Sequence, residues 1–134
     1  MLNLAEIRDR IPFIKDVGIE VAEVQPGSSR LELTVQPRHL NGWRAVHGGV
    51  TMTVLDVAMA IAARSLEPEG DGVVTVEMKC SFMQAGPPKG RMFATGTCVH
   101  KSTTMAFCEA EIRDEADRLL ARAMGTFKYL RPSG

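Results

Sequence analysis

The segment Gly48–Arg64 constrains the fold more than any other part of the chain. Nearly every residue from 50 to 63 is apolar, and a helix without a polar face is expected to be buried on all sides. The valines would also suit a strand, but the length of the segment and its alanines favour a helix. We therefore predict a buried central helix over about 48–65.

The remainder of the chain predicts strands, with one short helix at the amino end. Apolar spacing indicates an amphipathic helix over about 3–11, which Pro12 would end. Alternation of apolar and polar residues indicates six strands, at about 17–24, 30–36, 74–82, 91–100, 104–113 and 119–130. This order predicts a single α+β domain over 1–134, with a curled antiparallel sheet of about six strands wrapped around the central helix.

The charge balance argues against several classes of partner. Lys and Arg together number 16, and so do Asp and Glu, so there is no basic surplus for binding nucleic acid. The least charged segment, 45–63, is too polar and too interrupted to predict a membrane span. The first residues mix acidic and basic side chains and do not resemble a signal peptide. We expect neither nucleic acid nor membrane as a partner.

The cysteines and histidines predict neither a metal site nor a disulfide framework. Cys80, Cys98 and Cys108 are odd in number and form no CxxC motif, which favours a reducing compartment such as the cytoplasm. Cys98 and Cys108 are expected nearly opposite each other across a hairpin, as buried reduced thiols. The three histidines lack the ligand spacing of a zinc site; they are His39, His47 and His100.

Asp56 is the most informative single residue. It is the only acidic or basic side chain, histidine aside, between Arg44 and Arg64, in a helix predicted to be buried. An ionised carboxylate is costly to bury unless hydrogen bonds or a cation compensate. Two interpretations remain open: a structural carboxylate that reaches a helix end or a neighbouring loop, or a catalytic group.

The residues just before the central helix suit the binding of a carbonyl oxygen. Gly48 and Gly49 follow His47, and their N–H groups would lie at the positive end of the helix dipole, where a developing oxyanion is stabilised. Asn41, six residues before His47, can donate an amide hydrogen bond to a carbonyl. The same residues also fit plainer roles, as a flexible N-cap turn and a turn-forming Asn before Gly42.

The spacing between these two groups has a consequence for quaternary structure. Gly48 and Asp56 are eight residues apart, which is about 12 Å along a helix. Reacting atoms must approach within about 3–3.5 Å, so one chain cannot both hold and attack the same carbonyl with these residues. If both act on one substrate, we expect a two-fold dimer whose antiparallel central helices form two composite sites.

Three segments together resemble a known family. They are the runs NGWRAVHGG at Asn41–Gly49, LD at Leu55–Asp56 and VVTVEM at Val73–Met78. The chain resembles the hotdog-fold acyl-CoA thioesterases from about residue 17 to 130. It is most similar to the phenylacetate-pathway (PaaI-like) and human thioesterase superfamily member 2-like branch. The spacing N-x5-HGG-x6-D is far more specific than any of its parts.

The resemblance implies a role for each matching residue. Asp56 corresponds to the catalytic carboxylate, as general base or nucleophile, and the Gly48 amide to the oxyanion donor. Asn41 corresponds to the residue that orients the carbonyl or the water, His47 to a support of the loop, and Thr75 to a Ser or Thr that holds the water. The family takes the two halves of the site from opposite subunits of a homodimer, and its dimers commonly pair into tetramers.

Further residues are expected to contact the acyl-CoA substrate. Coenzyme A is part of that substrate, and no separate cofactor is expected. Gly49 and Trp43 are expected beside it, with Trp43 shaping the acyl pocket. The hairpin tip of Lys101, Ser102 and Thr103 offers groups that suit the CoA phosphates. The sequence leaves open the acyl group, CoA against a carrier-protein thioester, and a non-catalytic acyl-CoA-binding module as the alternative to an enzyme.

Overall fold

A six-stranded antiparallel sheet curls around one long helix. The structure is a computed structural model that describes residues 3–132. Its helices are α1 (Leu4–Arg10), α2 (Pro12–Val17) and α3 (Gly48–Arg64), with a short 3-10 turn at Pro37–His39. Its strands are β1 (Ile19–Gln25), β2 (Ser28–Thr34), β3 (Val73–Phe82), β4 (Arg91–Lys101), β5 (Met105–Asp114) and β6 (Leu119–Tyr129).

The sheet has the strand order β1-β2-β4-β5-β6-β3, so β1 and β3 form its two edges. Helix α3 packs very closely against the centre of the concave face. A Cβ added to Gly96 of β4 would lie 2.3 Å from the carbonyl oxygen of Ala58. The Ser29 hydroxyl of β2 donates to the same oxygen at 2.6 Å. The predicted α+β fold, a curled sheet around one central helix, is confirmed.

The amino end differs from the prediction. Pro12 ends α1 as expected, but it also begins a second helix, and the strand expected from residue 17 starts only at Ile19. Proline suits the first turn of a helix because its missing N–H needs no partner there. Gly18, with a φ of 89°, then ends α2 in the left-handed conformation that favours glycine.

Helix α3 is not buried on all sides, so that expectation is wrong for the single chain. One face packs into the core, where Leu55, Ala58 and Met59 are fully buried. The opposite stripe is open: Gly49 is exposed, and Asp56 is only half-buried. We call this the open stripe of α3, formed by Gly49, Met52, Thr53, Asp56 and Ala60. A helix face of mostly small and apolar residues that is left open in one chain is suited to a partner.

Candidate active site

Asp56 is held by a single hydrogen bond from the neighbouring edge strand. The Thr75 hydroxyl of β3 donates to Asp56 Oδ1 at 2.7 Å. Within residues 3–132, no other hydrogen bond or ion pair reaches this carboxylate. Its Oδ2 atom is therefore available to a water molecule or a ligand. The resemblance implied that Thr75 holds the water, whereas this geometry has it orient the carboxylate.

A β-bulge is the reason that Thr75 faces α3. Thr75 pairs with the buried Phe127 of β6, and Glu77 pairs with Thr126, which leaves Val76 as an extra residue between them. A bulge shifts every later side chain to the opposite face of its strand.

Because of this bulge, β3 does not follow the simple alternation expected from the sequence. The simple pattern puts Val74 and Met78 on one face of the strand and Thr75 on the other. In the structure Thr75 and Met78 share the face that packs on α3, while Val74 lies opposite the outward-pointing Lys128. Bulges are frequent next to active sites because they re-aim a side chain.

The turn before α3 is fixed by His47. Its Nδ1 atom accepts a hydrogen bond from the Gly49 N–H at 2.9 Å, so Gly49 has no free donor and supports the turn instead. The His47 N–H donates to the His39 carbonyl at 2.8 Å. Among the described residues the Gly48 N–H has no partner, so it remains available at the positive end of the helix dipole.

Asn41 forms the turn considered for it, and its amide N–H group is left unpaired among the described residues. Its Oδ1 atom accepts from the N–H groups of Trp43 at 2.9 Å and Ala45 at 3.1 Å, which holds the loop in a turn. Its Nδ2 group makes no hydrogen bond within residues 3–132. Asn41 and Gly48 line the same cleft, of about 320 Å³, so two unpaired N–H donors share one opening.

Asp56 opens into a different cavity. This cavity has a volume of about 360 Å³ and shares no lining residue with the cleft of Asn41 and Gly48. Its other walls come from α1, α2, α3 and the start of β3. The separation agrees with the eight-residue spacing of Gly48 and Asp56: within one chain, the two halves of the expected site do not meet.

The sequence did not reveal the contribution of the amino-terminal helices to this cavity. Ile7, Ile11, Phe13 and Ile14 line it beside Asp56. The apolar spacing of Ile7 and Ile11 predicted one face of an amphipathic helix. It carried no information on where that face would pack, because the packing depends on the curl of the sheet.

The residues expected to contact the substrate are scattered. Trp43 is 89% exposed on the turn held by Asn41. Lys101, Ser102 and Thr103 form the tip between β4 and β5, near the far end of α3, and line neither the Asp56 cavity nor the Gly48 cleft.

The charge on Lys101 is already paired. Its Nζ atom lies 2.8 Å from a carboxylate oxygen of Glu67, and Glu67 also pairs with Arg131. Arg131 first, and then Lys101, lower the pKa of Glu67 to about 2. This cluster fastens the carboxyl-terminal end of the chain to the hairpin tip and to the end of α3.

Other polar groups have structural roles. The buried His39 accepts at Nδ1 from the Gln36 N–H at 2.8 Å, so its Nε2 donates to the Val17 carbonyl at 2.7 Å. Cys98 pairs with Cys108 across β4 and β5 as predicted, and burial raises the pKa of the Cys108 thiol.

Across residues 3–132, no three potential ligands come together as a metal site, and no helix is long and apolar enough to cross a bilayer.

Sequence comparison gives the family. The profile of the thioesterase superfamily matches residues 44–121, which include Gly48, Asp56 and Thr75. The chain belongs to the thioesterase superfamily. It is a thioester hydrolase, which decides between the two alternatives of an enzyme and a binding module in favour of the enzyme. The resemblance to this family is therefore confirmed, while the sub-branch stays a prediction.

Individual relatives agree with this assignment. The chain is 30% identical over 105 residues to the 1,4-dihydroxy-2-naphthoyl-CoA hydrolase of Listeria monocytogenes, covering 78% of this chain and 84% of that one. The Escherichia coli PaaI protein from the phenylacetic acid degradation operon superposes with a TM-score of 0.89 at 22% identity, over 98% and 93% of the two chains. The Haemophilus influenzae thioesterase HI1161 also gives 0.89, at 17% identity, over 98% and 92%. These two structures show the shared hotdog fold.

Proposed function

We propose that this thioester hydrolase acts on acyl-CoA at a site shared between two subunits. Asp56 and Thr75 come from one subunit, and Gly48 and Asn41 of the partner subunit complete the site. Water adds to the carbonyl carbon, the carbon–sulfur bond breaks, and the products are the free acid and CoA. The observation that carries the proposal is the Thr75–Asp56 hydrogen bond, which orients the carboxylate and leaves Oδ2 free beside an open cavity.

In the proposed reaction Asp56 acts first as a general base and then as a general acid. Asp56 Oδ2 takes a proton from water as the water oxygen bonds to the carbonyl carbon. The oxyanion that forms accepts hydrogen bonds from Gly48 N–H and Asn41 Nδ2 of the partner subunit, and the dipole of the partner's helix stabilises its charge. When the carbon–sulfur bond breaks, Asp56 returns the proton to the leaving thiolate. Direct attack by Asp56 Oδ2, with hydrolysis of the resulting anhydride, is the alternative route.

Two surfaces support the dimer. The open stripe of α3 is half-exposed in the single chain, and β3 is an edge strand whose outer backbone groups lack a sheet partner among residues 3–132. Val74 and Val76 of this strand are 45% and 53% exposed. An antiparallel pairing of two β3 strands and two α3 helices would bury these groups and bring each Gly48 towards the partner's Asp56.

A second exposed surface suits a further level of assembly. Phe107 and Met124 are exposed on the outer face of the sheet, a suitable surface for pairing two dimers into a tetramer.

The substrate class and the place of action have support of their own. The name of the Listeria hydrolase supports a CoA thioester as the substrate class. The hairpin tip at 101–103 stays a predicted contact for the CoA phosphates. Three free cysteines fit the reducing cytoplasm as the place of action.

The experiment that tests the proposal measures free-thiol release from aryl, short, medium and long acyl-CoAs. Wild type and Asp56→Asn are compared, because Asn keeps the shape but acts as neither base nor nucleophile. We expect turnover that falls at least about 10²-fold in the variant. Unchanged turnover in the variant would place the site elsewhere. Binding of acyl-CoA without turnover by wild type would contradict acyl-CoA as the substrate of the hydrolase.

A further inference from the structure

The Asp56 cavity extends along α3 towards the carboxyl end of the helix. Asp56, Ala60 and Arg64 line it at four-residue intervals, which places them on one side of the helix. Its remaining walls are mostly apolar and include Ile7, Ile11, Phe13, Val57, Ile61 and Val73. Along α3 the cavity therefore runs from Asp56 to Arg64 with apolar side chains between them, and Asp71 is the other carboxylate in its lining.

Arg64 lacks a partner for a buried polar atom. Its Nε is inaccessible to solvent and makes no hydrogen bond, and none of its nitrogens forms an ion pair within residues 3–132. A buried donor without an acceptor is costly to the fold. Asp71 also lines the cavity, but it is exposed to solvent, and its charge acts on Arg131.

We infer that Arg64 binds a carboxylate at the far end of the substrate's acyl group. This inference rests on the proposed function, since it takes the thioester carbonyl to lie at Asp56. The substrate class is then an acyl-CoA whose acyl group is apolar in its middle and ends in a second carboxylate. A carboxylate provides two acceptor oxygens that match the planar donors of a guanidinium.

The dimensions suit such a group. Asp56 and Arg64 are about 12 Å apart between α-carbons along the helix axis. Side chains on a helix lean towards its amino end, which favours a guanidinium that reaches back towards Asp56. The apolar walls favour the hydrocarbon of an acyl chain over the phosphates and amides of CoA. These polar groups would lose their hydrogen bonds to water there, and the apolar walls offer none in return.

The test compares adipyl-CoA with hexanoyl-CoA, which have the same chain length and differ in the distal carboxylate. We expect wild type to have the higher kcat/KM for adipyl-CoA. In Arg64→Met the adipyl-to-hexanoyl ratio should fall roughly tenfold or more, mainly through KM. Arg64→Lys should recover part of the ratio. Arg122→Met, on an exposed residue of the outer sheet face, is the matched control and should leave the ratio unchanged.

The possible outcomes separate this inference from the proposed function. Equal losses on both substrates in Arg64→Met would put Arg64 on the CoA moiety and overturn the inference, as would a wild type without preference for adipyl-CoA. Loss of hexanoyl turnover in Asp56→Asn would leave the proposed function intact in either case. Calorimetric binding of both acyl-CoAs to Asp56→Asn, with and without Arg64→Met, gives the same ratio independently of turnover.

Discussion

The Thr75 hydroxyl donates to Asp56 Oδ1 at 2.7 Å, across the gap between the edge strand and the central helix. A second pair, between β6 and the same strand β3, has nearly the same chemistry: the Thr126 hydroxyl donates to Glu77 Oε1 at 2.8 Å. That pair lies on the outer face of the sheet, away from α3. Comparing variants at the two threonines therefore distinguishes the loss of a bond that orients the catalytic carboxylate from the loss of any Thr–carboxylate hydrogen bond.

Thr75→Val should lower kcat roughly tenfold, because Asp56 loses the bond that fixes its rotamer while keeping its charge. Thr75→Ser should retain most of the activity, since it keeps the hydroxyl. The measurements are kcat, KM and the melting temperature. Thr126→Val is the matched control and should leave kcat unchanged. A loss of kcat that is equal in both Val variants, or that follows the melting temperature, would contradict a positioning role for Thr75.

Asn41→Asp should lower kcat with little change in stability. The Asp side chain still accepts from the N–H groups of Trp43 and Ala45, so the turn survives, but it loses the Nδ2 donor and adds a negative charge opposite the oxyanion. Asn41→Ala should lower kcat and stability together, because it removes both functions. Urea unfolding and steady-state kinetics distinguish the two effects. Full activity in Asn41→Asp would remove Asn41 from the oxyanion site.

Gly96→Ala should destabilise the protein by about 3 kcal/mol, near the upper end of the usual cost of overpacking. The new methyl group would meet the Ala58 carbonyl oxygen at 2.3 Å, and backbone cannot move aside cheaply. Gly42→Ala is the control, because nothing lies within 4 Å of a Cβ there. Equal unfolding free energies for the two variants would contradict the close packing of α3 on β4.

Glu67→Gln should destabilise the protein at pH 7 and much less at pH 2. Arg131 and Lys101 lower the pKa of Glu67 from 4.5 to about 2 in the folded chain. A carboxyl group with a lowered pKa stabilises the fold above its unfolded pKa, and this contribution fades as the pH falls through 4.5 towards 2. Urea unfolding of both proteins across this range measures it. Glu69→Gln, on an exposed residue without an ion pair among the described residues, should show no such pH-dependent gap.

The sequence predicted the parts of the fold that depend on local pattern. The central helix, the six strands and the pairing of Cys98 with Cys108 follow from periodicity and turn residues, which act over short distances. Pro12 shows the limit of such reasoning, because a proline that ends one helix equally well begins the next. The sequence did not predict that one stripe of α3 is open in the single chain. An apolar face predicts that a neighbour covers it, but it does not say whether that neighbour belongs to the same chain.

The candidate site was predictable by residue type but not by contact. Spacing alone indicated that Gly48 and Asp56 lie apart, and the structure places them in separate openings. The bulge at Val76 was not visible, because one extra residue in a strand leaves no mark on its composition. It nevertheless decides that Thr75 lies on the α3 side of the strand, within hydrogen-bonding distance of Asp56. The hydrogen bond from the Gly49 N–H to the His47 side chain was not visible either, because it depends on the orientation of that side chain.

The most direct test of the shared site is complementation between two inactive variants. Asp56→Asn and Asn41→Asp chains are co-expressed with different tags, and the mixture is assayed for thiol release. In a shared site, each mixed dimer has one intact centre, built from Asn41 of the first chain and Asp56 of the second. Random mixing should then restore about a quarter of the wild-type activity. A mixture as inactive as its two components would contradict the shared site.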